Sequence, residues 1–222
     1  MLVLLALGLG ACTPNPPAPP RGFVLVKASV LDGTGGDARA TNVRVEGDTI
    51  VGVEEGEPPE GYEVIDASGF TLAPGFIDPH SHGDRDLFEH RDALAAVSQG
   101  ITTLVVGQDG GEPFPLAEFF QKLEATPVAV NVASYAGHGT LREEVMGEDF
   151  RRAATDEEIE KMRQLLIEEM KAGALGLGTG LEYDPGIYSE RSEVVALARE
   201  AASWGGRYIS HLRSEDRYFW DA

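Results

Sequence analysis

A change of rhythm at Pro74-Gly75 constrains this chain more than any other feature of its sequence. From Phe76 onward, short apolar runs alternate with amphipathic stretches, the pattern of parallel strands joined by crossover helices. Phe76-Ile77-Asp78 reads as a short buried strand entered through the Pro-Gly turn. A helix is expected over residues 86–99, closed by Gly100 as its C-terminal cap. Ile101–Val106 supplies the second strand, residues 116–123 a helix and residues 128–133 the third strand. Thr155-Asp156-Glu157-Glu158 has the spacing of a capping box. It opens a helix whose Ile159, Met162, Leu166 and Met170 recur at intervals of three and four, with Gly173 at its end. Those side chains belong to a core, not to a cofactor surface. Residues 175–178 and Arg207–His211 supply strands four and five, with a helix over residues 193–204 between them.

Residues 23–73 behave differently. Residues 42–46 and 49–53 alternate apolar and polar positions around Gly47-Asp48, a tight hairpin signal, and residues 23–28 and 62–66 supply further strands. A small antiparallel β-domain acting as scaffold is expected. Ahead of it, residues 2–10 are apolar but far shorter than the ~20 residues that span a bilayer. They lead into Leu9-Gly10-Ala11-Cys12, which looks like a bacterial lipoprotein signal with Cys12 as the lipidated position. The positive charge that usually precedes such a run is missing. The proline-rich residues 13–20 then read as an extended tether.

Composition narrows the partners. A formal net charge of −19 gives no electrostatic case for nucleic acid or anionic lipid. A lipid anchor at Cys12 is therefore the only membrane attachment expected, and it puts the protein at the bacterial cell envelope. One cysteine precludes an internal disulfide.

Candidate chemistry collects at strand ends. His80 and His82 lie two residues apart, and positions i and i+2 of an extended backbone project to the same face. Two imidazoles so placed can hold one metal ion, although two surface histidines also fall two apart by chance. Parallel β/α folds gather sites at the C-terminal ends of strands. That rule adds Asp109, His138, Glu182, Tyr183 and His211. Asp109 is either a ligand or a turn-forming Asp-Gly; His211 is either a ligand or a core histidine. Glu182 and Tyr183 are either pocket residues or a loop carboxylate and a packed ring. Gly176-Leu177-Gly178-Thr179-Gly180 has the composition of a phosphate loop, but a turn and not a helix follows it, so nucleotide binding is rejected.

The whole string from Leu72 to His82 resembles the first-strand motif of the amidohydrolase superfamily of metal-dependent hydrolases. The stretches Gly100 to Gly107, Gly178 to Gly186 and Tyr208 to Glu215 extend the resemblance to the N-acyl-D-amino-acid deacylases, or D-aminoacylases. It implies an α/β fold. Residues 1–21 are signal and tether, and residues 22–73 form a small N-terminal β-sandwich. Residues 74–222 then supply the first five strands of a metal-dependent (β/α)8 TIM barrel. Such a barrel takes about 250 residues, so the chain is expected to be the N-terminal part of a longer reading frame.

The implied reaction is hydrolysis of the amide bond of a small N-acyl-D-amino acid, with one or two zinc ions as cofactor. His80, His82, Asp109 and His211 are the implied metal ligands. Asp109 stands where the deacylases often carry a cysteine that bridges two ions, which leaves bridging open. Glu182 would serve the metal or a substrate amine, Tyr183 would orient an acyl oxygen, and His138 would line the pocket. The resemblance puts the general-acid aspartate and one more histidine ligand beyond Ala222, so this chain alone is expected to be inactive. A dihydroorotase-like or isoaspartyl-dipeptidase-like enzyme would share His80, His82 and His211, but Gly180 to Tyr183 argues against it. A non-catalytic surface lipoprotein would keep the fold and bind no stoichiometric zinc.

Overall fold

The structure is a computed structural model that describes residues 21–221; the expected signal, the tether and Cys12 lie outside the described residues. The chain divides into two compact units, Met1–Pro74 and Gly75–Ala222.

The first unit is one five-stranded sheet: β1 (Phe23–Val30), β2 (Arg39–Glu46), β3 (Thr49–Glu54), β4 (Glu63–Asp66) and β5 (Thr71–Leu72). Its order is β3-β2-β1-β4, with β5 also on β1. β1 is central because Val24, Val26, Ala28 and Val30 alternate inward at period two. The β2–β3 hairpin turns at Gly47-Asp48 as expected. β4 and β5, however, run parallel to β1, so the sheet is mixed where an antiparallel one was expected. After β3 the chain crosses back to the start of β1 before it pairs.

Among the described residues, the strand pairings of the second unit are all parallel. β6 (Phe76–Asp78), β7 (Ile101–Val106) and β8 (Asn131–Ser134) form one sheet in that order. β9 (Ala136–Gly137), β10 (Gly176–Gly180) and β11 (Arg207–His211) form a second, ordered β11-β10-β9. Parallel neighbours need crossovers. These carry α1 (Leu94–Val97), α2 (Leu116–Ala125), α3 (His138–Met146), α4 (Asp156–Ala172) and α5 (Arg191–Ser203). Leu116, Phe119, Leu141, Met162, Leu166, Met170, Leu177 and Leu197 pack into one core, so the apolar stripe of α4 faces inward as its spacing demands.

Three expectations are corrected. The helix over residues 86–99 shrinks to the single turn of α1, because Asp86 (φ 56°) and Ala93 (φ 43°) sit in the left-handed region, which interrupts a right-handed helix. The first strand forms but is not buried: Phe76 and Ile77 are 62% and 64% exposed. β6 lies at the edge of its sheet and pairs with β7 alone among the described residues. The third strand begins later than expected, pairs as β8 with β7, and continues past Tyr135 as β9 against β10.

Two polar arrangements fix α3, α4 and α5. The capping box forms: Thr155 Oγ1 accepts from the Glu158 amide at 3.3 Å, and the Glu158 carboxylate accepts from the Thr155 amide at 2.8 Å. Arg152 grips the same carboxylate through two nitrogens, and that pairing, with the backbone bond, lowers the Glu158 carboxyl to about 2. Deeper in, Arg142 of α3 donates to both carboxylate oxygens of Glu193 of α5 at 2.7 and 2.5 Å. Its other terminal nitrogen donates to the carbonyls of Phe150 and Arg152, which tethers the segment leading into α4. Arg142 and Glu193 are fully buried, so each charge depends on the other.

Thr155→Ala is expected to cost about 1 kcal/mol of stability in chemical unfolding. Glu158 has a lowered folded-state pKa, so its contribution is present above the ordinary glutamate value and fades as pH falls toward about 2. The stability gap between wild type and Glu158→Gln should therefore narrow between pH 6 and pH 3. Glu193→Ala strands a buried guanidinium and should cost about 3–5 kcal/mol by the same measurement.

Candidate metal centre

At Asp78 the β6–β7 ladder stops. Beyond it the chain bends at Pro79 and His80, and the Ser81 amide still donates to the Val105 carbonyl at 2.9 Å, which holds this segment alongside β7. Ser81 turns inward and is buried, while His80 and His82 turn the other way and are about half exposed. This is the same-face projection that a two-residue spacing predicts.

Asp109 reaches the same point from the loop after β7. Its Oδ2 lies 3.1 Å from His80 Nε2 and 3.0 Å from His82 Nε2. One donor atom from each of the three residues falls within 4.8 Å of the others. The two imidazole rings meet edge to face, 5.8 Å apart. Burial by itself would raise the Asp109 carboxyl, but hydrogen bonding and charge interaction with His80 and His82 outweigh it and hold the group below the usual carboxylate range. The ligand oxygen is therefore anionic at neutral pH.

The loop that presents Asp109 lies directly on β10, and the glycines of β10 make room for it. A Cβ on Gly178 would come within 2.1 Å of the Gly107 carbonyl oxygen, and one on Gly180 within 2.1 Å of the Asp109 carbonyl oxygen. Gly178 and Gly180 thus form a close-packing surface for the Asp109 loop, whereas the first glycine of the pattern, Gly176, lies against the Arg207 backbone of β11.

The donor set suits a divalent ion. Two imidazole nitrogens and one carboxylate oxygen form a common zinc ligand set. Donors ~2.0–2.1 Å from a shared tetrahedral ion stand about 3.3 Å apart, close to the spacings found here. The second oxygen, Asp109 Oδ1, is buried and has no hydrogen-bond partner among the described residues. The residues therefore fit a metal, and leave one carboxylate oxygen unused.

His211 does not join this cluster. It ends β11, and its Nε2 bonds the Glu182 carboxylate at 2.9 Å while its Nδ1 meets the Tyr183 hydroxyl at 2.5 Å. The same Nδ1 lies 3.8 Å from Asp109 Oδ1, on the side away from His80 and His82. Burial, then the charges of Asp109, Glu182 and Glu215, raise the Tyr183 hydroxyl pKa, so it stays protonated. His138 is corrected. It lines no open pocket; it is fully buried, with Nε2 2.7 Å from Glu193, in the pair that locks α3 to α5.

An open cleft of about 640 Å³ adjoins the cluster, lined in part by His82, Asp109, Thr140, Glu143 and Tyr183. Two neighbours of Asp109 escaped the reading of the sequence. Gln108 is fully buried beneath the cluster. Glu112, also on the cleft wall, has both carboxylate oxygens buried without a hydrogen-bond partner among the described residues, and burial followed by the nearby Glu169 charge, opposed by the Gly137 backbone, raises its pKa well above the ordinary value. Position next to Asp109 was the one available signal for Gln108; none pointed to Glu112.

Comparison with known proteins bears on this geometry. Residues 63–208 match the profile of the family described as "Amidohydrolase family". The D-aminoacylase of Alcaligenes xylosoxydans xylosoxydans is 36% identical over 90% of this chain and 46% of its own length. A D-aminoacylase structure whose subject is a binuclear metal centre, with one-metal activation and second-metal attenuation, superposes with TM-score 0.82. It is 33% identical, over 91% of this chain and 47% of that one. The N-acyl-D-glutamate deacylase of Bordetella bronchiseptica, solved with zinc and a phosphonate inhibitor, also gives TM-score 0.82. It is 33% identical, over 88% of this chain and 46% of that one. The chain spans about half the length of the curated relatives it matches. With a ligand cluster at the strand ends of a parallel β/α unit and a family match over most of its length, the chain belongs to the amidohydrolase family.

Proposed function

We propose that this chain supplies the metal-binding part of a metal-dependent N-acyl-D-amino-acid deacylase, which splits the amide into a carboxylic acid and a D-amino acid. The observation that carries the reading is Asp109 Oδ2 lying 3.1 and 3.0 Å from the Nε2 atoms of His80 and His82. Likeness to D-aminoacylase and to N-acyl-D-glutamate deacylase supports the substrate class. On this reading the second unit is the first five strands of a (β/α)8 barrel over residues 74–222. The mixed sheet is part of a β-sandwich over residues 22–73. Residues 1–21 are a lipoprotein signal and tether that anchor the protein at the bacterial cell envelope through Cys12. The run of small residues before Cys12 and the prolines after it support that placement.

His80, His82 and Asp109 are the ligands in this reading, and zinc is the favoured ion because the set offers two nitrogens and one hard oxygen. A zinc-class ion, when bound, supplies Lewis acidity that polarises the amide carbonyl and makes water acidic near neutral pH. The other residues bind and orient. Tyr183, kept protonated, has a single hydroxyl proton, which it can turn from His211 to the acyl oxygen of a substrate in the cleft. Glu182 holds His211 through Nε2, a nitrogen that also lies 2.9 Å from the Tyr183 hydroxyl. His211 faces the unused oxygen of Asp109, which supports a second ion position on that side.

Two results are expected. The purified chain should bind one zinc tightly by isothermal titration, and Asp109→Asn should weaken that binding by at least about 100-fold, beyond the effect usual for an outer-shell change. The protein made from the complete reading frame should release free D-amino acid from N-acetyl-D-amino acids, stop on chelation and recover with zinc. Its inertness toward every N-acyl-D-amino acid of a broad panel while loaded with zinc would rule the function out.

A further inference from the structure

We propose that Gln108 is a positioning residue that sets the metal affinity of the centre by holding the His80–His82 segment against the Asp109 loop. This rests on the metal-centre reading of His80, His82 and Asp109.

The ligands arrive on two separate stretches of chain, and the regular β6–β7 ladder ends before either is reached, leaving the single Ser81-to-Val105 backbone bond beyond it. The last β6–β7 register partners are Asp78 and Leu104. The next residue, Pro79, has no amide hydrogen and cannot extend the ladder as a donor. Gln108 fills that gap from its side chain. Its Nε2 donates to the Pro79 carbonyl at 2.6 Å and to the Val105 carbonyl at 2.7 Å. Val105 O also accepts the Ser81 amide. One side-chain amide thus acts as a substitute peptide N–H. It ties the carbonyl just before His80 to the last turn of β7, while its own backbone runs straight into Asp109.

The orientation of the amide is fixed by chemistry. Both groups facing Nε2 are carbonyl oxygens, so the –NH₂ end must point at them. Gln108 is fully buried, and its Oε1 has no partner among the described residues. A buried amide oxygen without a donor lowers stability, so an apolar side chain would suit this pocket better if packing were all it supplied. What glutamine supplies here is the pair of donor bonds. An outer-shell group that orients ligands in this way typically changes metal affinity by ~10–100-fold.

The test compares cobalt and zinc affinities of the 222-residue chain with those of two variants, by competition with a chromophoric chelator. Gln108→Glu keeps the shape and retains at most one donor, on a protonated carboxyl, while Gln108→Asn keeps the amide on a shorter arm. Thermal unfolding of the metal-free forms is measured alongside. The expected result is a loss of at least tenfold in affinity for Gln108→Glu, a smaller loss for Gln108→Asn, and an altered cobalt visible spectrum in both. A residue that served only packing would lower the metal-free melting temperature and leave the affinity of the folded protein within twofold of wild type; that outcome overturns the proposal. If Gln108→Glu does not fold, Gln108→Asn decides by the same twofold criterion. Failure of the wild-type chain itself to bind either ion would instead remove the metal-centre reading, and this inference with it.

Discussion

A carboxylate shared between two imidazoles is the interaction on which the second unit of this protein is built. Asp109 is partly withdrawn from water, and withdrawal alone would favour its protonated form. His80 and His82 reverse that preference, so the carboxylate stays charged. Keeping the three side chains together demands that two loops be held in place where the regular ladder has run out. The backbone bond from Ser81 to Val105, the side-chain amide of Gln108 and the bare surface of β10 at Gly178 and Gly180 meet that demand. Each is ordinary hydrogen bonding or close packing, and each acts on the relative position of donor atoms that must agree to within a few tenths of an ångström.

The parts legible in the sequence were those governed by short-range rules. Alternating strands and helices followed from periodicity, the Thr155–Glu158 box from its spacing, and the common face of His80 and His82 from the geometry of an extended backbone. What could not be read was settled by partners far along the chain. β4 lies parallel to β1 because of a crossover that no local pattern encodes. His138 sits after a strand, where a pocket residue belongs, yet it is claimed by Glu193, 55 residues away. The apolar β6 is exposed because burial depends on a neighbouring strand, which it has on one side only among the described residues. Gly-x-Gly-x-Gly was recognisable as unusual, but the role of Gly178 and Gly180 in admitting the Asp109 loop appears only when the two stretches are brought together.

Aspartate and cysteine make different ligands at the position of Asp109. A thiolate presents one sulfur, whereas a carboxylate presents two oxygens that can face different ways. Here one oxygen lies against His80 and His82, while the other lies on the His211 side at 3.8 Å. His211 in turn is bound up with Glu182 and Tyr183. The cluster is therefore graded, with two imidazole nitrogens already gathered on one oxygen of Asp109 and a looser group arranged around the other. The hydrogen bonds explain how this particular chain brings His80, His82 and Asp109 together at these strand ends.

X-ray absorption at the zinc edge, recorded on the chain loaded with one equivalent of zinc, tests this most directly. The account predicts a first shell of nitrogen and oxygen at about 2.0–2.1 Å, with the outer-shell scattering of two imidazoles, and no sulfur at about 2.3 Å. Bound zinc lacking imidazole scattering, or scattering left unchanged by His80→Ala together with His82→Ala, would contradict it.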